Sequence, residues 1–220
     1  MNAIIIAAGS GKRISKEVKN IPKSMVKING KSIIEYQLKV LKQAGIDKIY
    51  VITGPYSDKF NLDDVKYVKD QNYANHDILG SLMEAKKYLK NDILVLYSDI
   101  IFDSKIIQQI LCSKKNISIA IDMNWEKMYE GRTDHHMSEA ENIQLDKMNK
   151  IVEIRKNIQN KNKRVGEFLG IIKFSLNGAE LFVKKYEELI KIHNGTFQQA
   201  PSISKAYITD MIQELINSKI

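Results

Sequence analysis

Two glycines and two cations follow an apolar run: Ala3-Ile4-Ile5-Ile6, then Ala7-Ala8-Gly9-Ser10-Gly11-Lys12-Arg13. A turn of small residues lets backbone N–H groups approach an anion closely, and adjacent cations add charge. The chemistry this spacing suits is that of a phosphate chain. Two standard nucleotide motifs fail on the residues. A P-loop requires Gly-x4-Gly-Lys-Ser/Thr, but Ile6 stands at the first glycine and Arg13 at the hydroxyl. A dinucleotide fingerprint requires a third glycine after Gly9 and Gly11, and Ile14 occupies that place. Further on, Pro22-Lys23 offers another cation, and Asp99 follows the apolar run Ile93–Leu96. Ligands of α/β proteins sit at the carboxyl ends of parallel strands. A carboxylate there suits Mg²⁺, which takes few protein ligands and keeps waters; capping its own strand end is the alternative use.

A second group of candidates lies in the segment Asp122–Glu141. Trp125 and Tyr129 read either as core or as an aromatic wall for an ammonium group, with Asp122, Glu139 and Glu141 supplying charge. Arg132 and Lys156 suit an acceptor phosphate or carboxylate. His135 and His136 are adjacent, so they do not face one ion from a strand.

These residues need a scaffold, and the pattern supplies one. The runs Ala3–Ile6, Lys48–Thr53, Val65–Val68, Ile93–Tyr97 and Ile117–Ile121 read as strands. Ser32 caps a helix through Ala44, Ile78–Leu89 reads as another, and Asp103 caps a third to about Leu111. The alternation predicts a Rossmann-like, mixed and mostly parallel sheet with helices on both faces. Asn142–Leu145, Ile151–Ile154 and Phe168–Phe174 read as short strands, small antiparallel additions over the ligand side. Helices over Gly178–Ile192 and Ile203–Asn217 close the chain, with a turn-rich loop at His193–Pro201. Lys156–Arg164 is a polar hairpin or loop. No repeat and no linker composition occurs, so residues 1–220 are expected to form one domain.

Composition bounds the partners. The net charge is +8, but the lysines are spread along the chain and there are only four arginines: Arg13, Arg132, Arg155 and Arg164. The excess is read as solvated surface first and anion attraction second, with no nucleic acid expected. One cysteine, Cys112, allows no intrachain disulfide and fits a cytoplasmic protein. The N-terminal run lacks a preceding cationic region and reads as a strand, not a signal peptide. No apolar run is long enough for a bilayer, so no membrane is expected.

The string "IIIAAGSGKRISKEVKNIPKSMVKING", followed by "KSIIE", resembles the sugar-phosphate nucleotidyltransferase family. That family carries Ala-Gly-x-Gly-x-Arg after a strand, then Pro-Lys, then Gly-Lys-Pro-Leu-Ile. The matching positions are Ala8, Gly9, Gly11, Arg13, Pro22, Lys23, Gly30, Lys31, Ile33 and Ile34. The family's Pro-x-Thr after the arginine is replaced by Lys16-Glu17-Val18. "YSDI" (Tyr97–Ile100) falls where the family places its metal-binding Asp. "IDMNWEKMYEGRTDHHMSEAENI", "GEFLGIIKFS" and "KAYITD" resemble a CTP-using subgroup that acts on phosphocholine, 2-aminoethylphosphonate or phosphoglutamine.

The resemblance implies a Mg²⁺-dependent cytidylyltransferase for a small amine- or amino-acid-bearing phosphate or phosphonate, releasing pyrophosphate, with a role in capsule or surface decoration. It implies Lys12, Arg13, Lys23 and Asp99 as catalytic, Asp99 also holding the metal. Ala7, Ala8, Gly9, Ser10, Gly11, Asn72, Gly80 and Ser81 would hold the nucleotide. Asp122, Trp125, Arg132, Glu139, Glu141, Lys156, Glu167 and Asp210 would hold the acceptor. The family's second metal-binding Asp, in a late Glu-Ile-Asp strand, is not found before Ile220. The expected state is monomer or homodimer. A phosphate acceptor is already largely dianionic near neutrality, so no general base is needed and none is evident. The rival expectations are a sugar-1-phosphate uridylyl- or thymidylyltransferase, and a nucleotide sensor or nucleic-acid binder without turnover.

Overall fold

A computed structural model describes residues 1–9, 21–133, 136–158 and 164–219. Ser10, Gly11, Lys12, Arg13 and His135 lie outside the described residues, as does the centre of the polar segment Lys156–Arg164.

Strand β1 (Asn2–Ala7) has no polar face, and its residues alternate between two cores: Ala3, Ile5 and Ala7 enter one, Ile4 and Ile6 the other. A strand buried on both faces requires helices on both sides. It pairs in parallel with β4 (Lys48–Thr53) and with β6 (Ile93–Tyr97), and β5 (Val65–Lys69) continues in parallel beyond β4. Helices α1 (Ile33–Gln43) and α3 (Ser104–Leu111) cover the Ile5 face through Ile34, Leu38, Leu41 and Ile107. On the Ile4 face lie α2 (Ile78–Glu84), α4 (Leu176–Ile192) and α5 (Ile208–Asn217).

One long strand joins this parallel centre to an antiparallel flank. β10 (Arg164–Phe174) pairs with β6 through Ile171–Phe174. Its first residues, Arg164–Glu167, pair with β8 (Glu141–Leu145), and β9 (Ile151–Lys156) follows beyond. β7 (Ile117–Asp122) also runs along β10, with a register shift between Phe168 and Ile172. Gly170 sits in that irregularity at φ 73°. A Cβ there would lie 2.9 Å from the Tyr97 Cβ, so only glycine fits both the backbone and the neighbour. The sheet has eight strands and is mixed, parallel at its centre and antiparallel at one side.

The helix starts follow local chemistry. Ser32 donates both its backbone N–H and its hydroxyl to Glu35 at the head of α1. Asp103 accepts from the Lys105 N–H at the head of α3. Three elements differ from the sequence expectation. The helix expected over Ile78–Leu89 ends at Glu84 and is followed by a 3₁₀ turn, Lys86–Tyr88. The helix expected from Ile203 begins at Ile208, because the Tyr207 N–H is taken by Asp210; Ile203–Lys205 is a separate 3₁₀ turn. The strand expected over Phe168–Phe174 starts four residues earlier, at Arg164, where β8 supplies a partner. A small hairpin, β2 (Lys27–Ile28) and β3 (Lys31–Ser32), was missed despite Asn29-Gly30. Both turn residues have positive φ, 50° and 82°, as a primed hairpin turn demands. Among the described residues, no helix is long and apolar enough to cross a membrane.

Candidate functional site

The carboxyl edge of the parallel strands carries the first cluster. β1 runs out into Ala8 and Gly9. Ala8 is packed so closely by the turn after β4 that a Cβ on Gly54 would lie 2.2 Å from its carbonyl oxygen. Pro22, at φ −56°, leads into the single 3₁₀ turn Lys23–Met25, so Lys23 projects from a fixed point. Its ammonium stands 3.4 Å from the Asp99 carboxylate, and the two side chains are 39% and 41% exposed. A pair this open is worth little as a stability element. It leaves a cation and a hard oxygen donor side by side at a strand edge. The donor set fits Mg²⁺: one protein carboxylate, with room for phosphate oxygens and waters.

Asn72, Gly80 and Ser81 come together around a buried carboxylate. Asp70 is 1% exposed. It accepts from the Asn72 N–H at 3.0 Å, the Ser81 hydroxyl at 2.7 Å, and pairs with His76 Nε2 at 2.8 Å. The Asn72 amide in turn donates to Glu84. The Ser81 hydroxyl is thus used inside the protein. Gly80 lies under the His76 ring, 2.4 Å from where its Cβ would be. Asp70, His76 and Glu84 bring donor atoms together as a metal site would, but these hydrogen bonds already satisfy Asp70.

The eight residues expected on the acceptor side separate into two clusters. In the first, Trp125 is 6% exposed, packs edge-on to Tyr129 at 5.6 Å and donates its indole N–H to the Val165 carbonyl. Tyr129 donates to Glu167, and the Arg132 guanidinium covers the Tyr129 ring at 4.8 Å. Asp122 accepts from the Asn124 N–H, closing the turn after β7. Trp125 is therefore a small satellite core and not an open wall. Burial and the Glu167 partner push the Tyr129 phenol up.

The second cluster lines a cleft of ≈ 460 Å³ between β8, β9 and the start of α5. Glu141, Lys156 and Asp210 line it, with Asp77, Lys205, Tyr207 and Thr209, which the sequence did not single out. Thr209 donates its hydroxyl to Glu141. Burial raises the Glu141 carboxyl to about 7, against the pull of Thr209 and Lys156. Burial also raises Asp210, although the Tyr207 and Gln199 N–H groups stabilise its anion. Burial, the largest single influence, would lower Lys156; the hydrogen bond to Glu139, at 3.0 Å, together with the charges of Tyr207, Glu139 and Glu141, outweighs it and holds the ammonium up. Lys156 also lies 5.0 Å from the centre of the Tyr207 ring. The Gln199 side chain receives the Lys156 N–H at 2.6 Å and reaches back to the Lys156 carbonyl at 3.4 Å. It fixes that backbone as a neighbouring strand would. Burial pushes the Tyr97 phenol up, and the charges of Glu141, Tyr207, Asp99 and Asp210 add to it. In the sequence the string Lys205–Asp210 marks Asp210 alone. Nothing in residue type alone marks Lys205 or Tyr207.

A parallel core with an exposed Lys–Asp pair at its carboxyl edge is an architecture suited to an NTP-using transferase. The chain belongs to the MobA-like NTP transferase domain family, whose model matches residues 3–129, and it is a nucleotidyltransferase. It is 28% identical to the CTP:phosphoglutamine cytidylyltransferase of Campylobacter jejuni, across 98% of this chain and 88% of that one. It is 37% identical to the choline-phosphate cytidylyltransferase of Streptococcus pneumoniae, over 43% of each chain. In fold it is similar to the inositol-1-phosphate CTP transferase from T. maritima, with a TM-score of 0.73 at 16% identity, covering 99% of this chain and 81% of that one.

Proposed function

We propose that this protein is a cytoplasmic, Mg²⁺-dependent cytidylyltransferase that moves CMP from CTP to a small phosphate or phosphonate bearing an amine or amino acid, for surface-polysaccharide decoration. The observation that carries this reading is the charged cleft of ≈ 460 Å³: Glu141, Asp210 and Asp77 line it together with Lys156 and Lys205. A sugar phosphate would call for free hydroxyl-reading amides, and the lining amide, Gln199, is engaged with the Lys156 backbone. This cleft offers both signs of charge, as a zwitterionic acceptor requires. Among the described lining residues the aromatic is Tyr207, and Lys156 already lies against its ring. A quaternary ammonium is held by aromatic faces, whereas a primary ammonium is held by acceptors such as Glu141 and Asp210. The reading therefore favours a primary amine over choline. The sequence relatives that act with CTP support the nucleotide.

In the reaction an acceptor phosphate oxygen attacks the α-phosphorus of CTP. The bond from that phosphorus to the bridging oxygen breaks, and pyrophosphate leaves with the electron pair. Catalysis is positioning and charge neutralisation. Lys12 and Arg13 hold the β- and γ-phosphates, and Lys23 reaches the α-phosphate and the incoming oxygen. Ala7, Ala8, Gly9, Ser10 and Gly11 would meet the nucleotide by backbone, and Asn72, Gly80 and Ser81 would border the base. Asp99 would hold Mg²⁺, whose charge offsets that of the triphosphate.

Pyrophosphate release from each of the four NTPs, with phosphoglutamine, 2-aminoethylphosphonate, phosphocholine and glucose-1-phosphate as acceptors, tests the proposal. CTP with an amine-bearing acceptor is the expected pair. Turnover of glucose-1-phosphate alone, or UTP used as well as CTP, overturns it.

A further inference from the structure

We infer that Gln37, a buried residue of α1, is the positioning residue that sets the Asp99 carboxylate for the metal; this rests on the reading of Asp99 as the metal ligand. Gln37 is 1% exposed and sits among Ile34, Leu38 and Leu41 on the apolar side of its helix. A leucine or methionine would bury there without loss. The amide must be desolvated, and a buried polar group that lacks a partner costs about 1–3 kcal/mol. Its oxygen has no hydrogen-bond partner among the described residues, so part of that cost is standing. What the amide gains is two bonds from one nitrogen: to the Tyr97 carbonyl at 2.9 Å and to the Ile100 carbonyl at 2.8 Å.

Those two carbonyls flank Asp99. β6 ends at Tyr97, and the chain then runs without regular structure to α3. Nothing in the strand ladder holds the residue after next, so the direction of the Asp99 side chain depends on how the turn is pinned. Gln37 pins it from the α1 face. From the other face, the Tyr97 ring meets Phe168 edge-on at 5.3 Å and presses on Gly170. The turn is clamped on both sides, and Asp99 projects from it toward Lys23. A residue that merely capped the strand end would change stability. A residue that orients a ligand changes metal affinity, and supporting partners of metal ligands typically contribute about 10–100-fold.

The test uses the whole protein with CTP, no acceptor, and Mn²⁺ as the probe read by electron paramagnetic resonance. Gln37→Met, of similar size but without the donor, should weaken Mn²⁺ binding about 10-fold. CTP binding measured without metal should stay unchanged, and in a separate turnover assay with acceptor present excess metal should restore kcat. Gln37→Asn keeps the amide on a shorter stem and should fall between the two; it decides the matter if the methionine variant does not fold. Mn²⁺ held as tightly by the folded variants as by the parent overturns the inference. Asp99→Asn separates this from the underlying reading. If that variant also binds Mn²⁺ normally, Asp99 is no ligand and both fall. If it alone binds weakly, only the role of Gln37 falls.

Discussion

The two halves of the sheet place functional groups by different means. At the parallel centre, side chains are consumed by two cores, and what reaches the strand edge is backbone, glycine and a few projecting charges: Gly9, Gly54, Lys23, Asp99. On the antiparallel flank the sheet has a face of its own, and β8, β9 and α5 furnish a cleft with charged side chains that correct one another. The first half suits a constant ligand, a triphosphate, whose geometry a rigid edge can match. The second suits a ligand that varies, because exchanging side chains there leaves the cores untouched.

The sharpest test of that division is loss of charge at the rigid edge. Lys23→Ala and Asp99→Ala should each lower kcat about 10²–10³-fold, the usual effect of removing one group that stabilises transition-state charge. Thermal unfolding should barely move, since the pair is open to solvent. Near-normal kcat in either variant would remove that residue from the mechanism.

On the flank, Glu141 offers a pH test of the proposed acceptor cleft. Its carboxyl titrates at about 7 in the folded protein against an ordinary value of 4.5. Between these values the folded state holds the proton and the unfolded chain does not. Stability from this group is therefore fullest below the ordinary value and is lost as pH rises through about 7. Glu141→Gln removes that dependence. It should be more stable than the parent at pH ~8.5, by at most about 3 kcal/mol from a shift of this size, with the advantage vanishing below pH ~4. A difference in Tm that does not change with pH would contradict this. The same ionisation predicts that the parent's KM for an amine acceptor falls as pH rises through about 7, and that the glutamine variant loses this trend.

A smaller effect is expected from the backbone of the edge itself. Gly54→Ala drives a methyl to 2.2 Å from the Ala8 carbonyl. Such overpacking typically costs about 1–3 kcal/mol. Because Ala8 leads into the segment proposed to bind the nucleotide, CTP affinity measured by calorimetry should fall with it, while the acceptor KM should not. Smallest is Gln199→Ala. It frees the Lys156 backbone and should raise the acceptor KM several-fold with CTP binding unchanged. Equal effects on both substrates in these two variants would erase the distinction between the halves.

The division also governs what could be read from residues alone. β4 and β6 match their expected limits at both ends, and α3 starts and stops where Asp103 and Leu111 indicate. Continuous apolar runs and cap residues are local signals, so they survive without tertiary knowledge. The meeting of Lys23 with Asp99 was legible for a related reason: Pro22-Lys23 and an Asp just after an apolar strand announce themselves by spacing, and the structure brings the two side chains together. The cleft was not. Lys156, Tyr207 and Asp77 come from distant parts of the chain, and their meeting is decided by β10 passing from one pairing to another at Gly170. Trp125 shows the converse: an aromatic among charges looks like a ligand wall in sequence, and only packing with Tyr129 and Ala140 reveals a core. Gln37 had no outward mark, because its importance lies in two carbonyls far along the chain.

The amides that steady the cleft have a second effect, on association. β9 lies at one end of the sheet order, with β8 on its inner side. On the outer side the Ile154 N–H is bound by Gln213 and the Lys156 N–H by Gln199. An open edge is a template onto which another chain can add a strand, the usual start of sheet-to-sheet aggregation. Here side chains of α5 and the preceding loop already occupy the donors such a strand would need. The protein can present a polar, ligand-ready flank without offering that border to a second sheet.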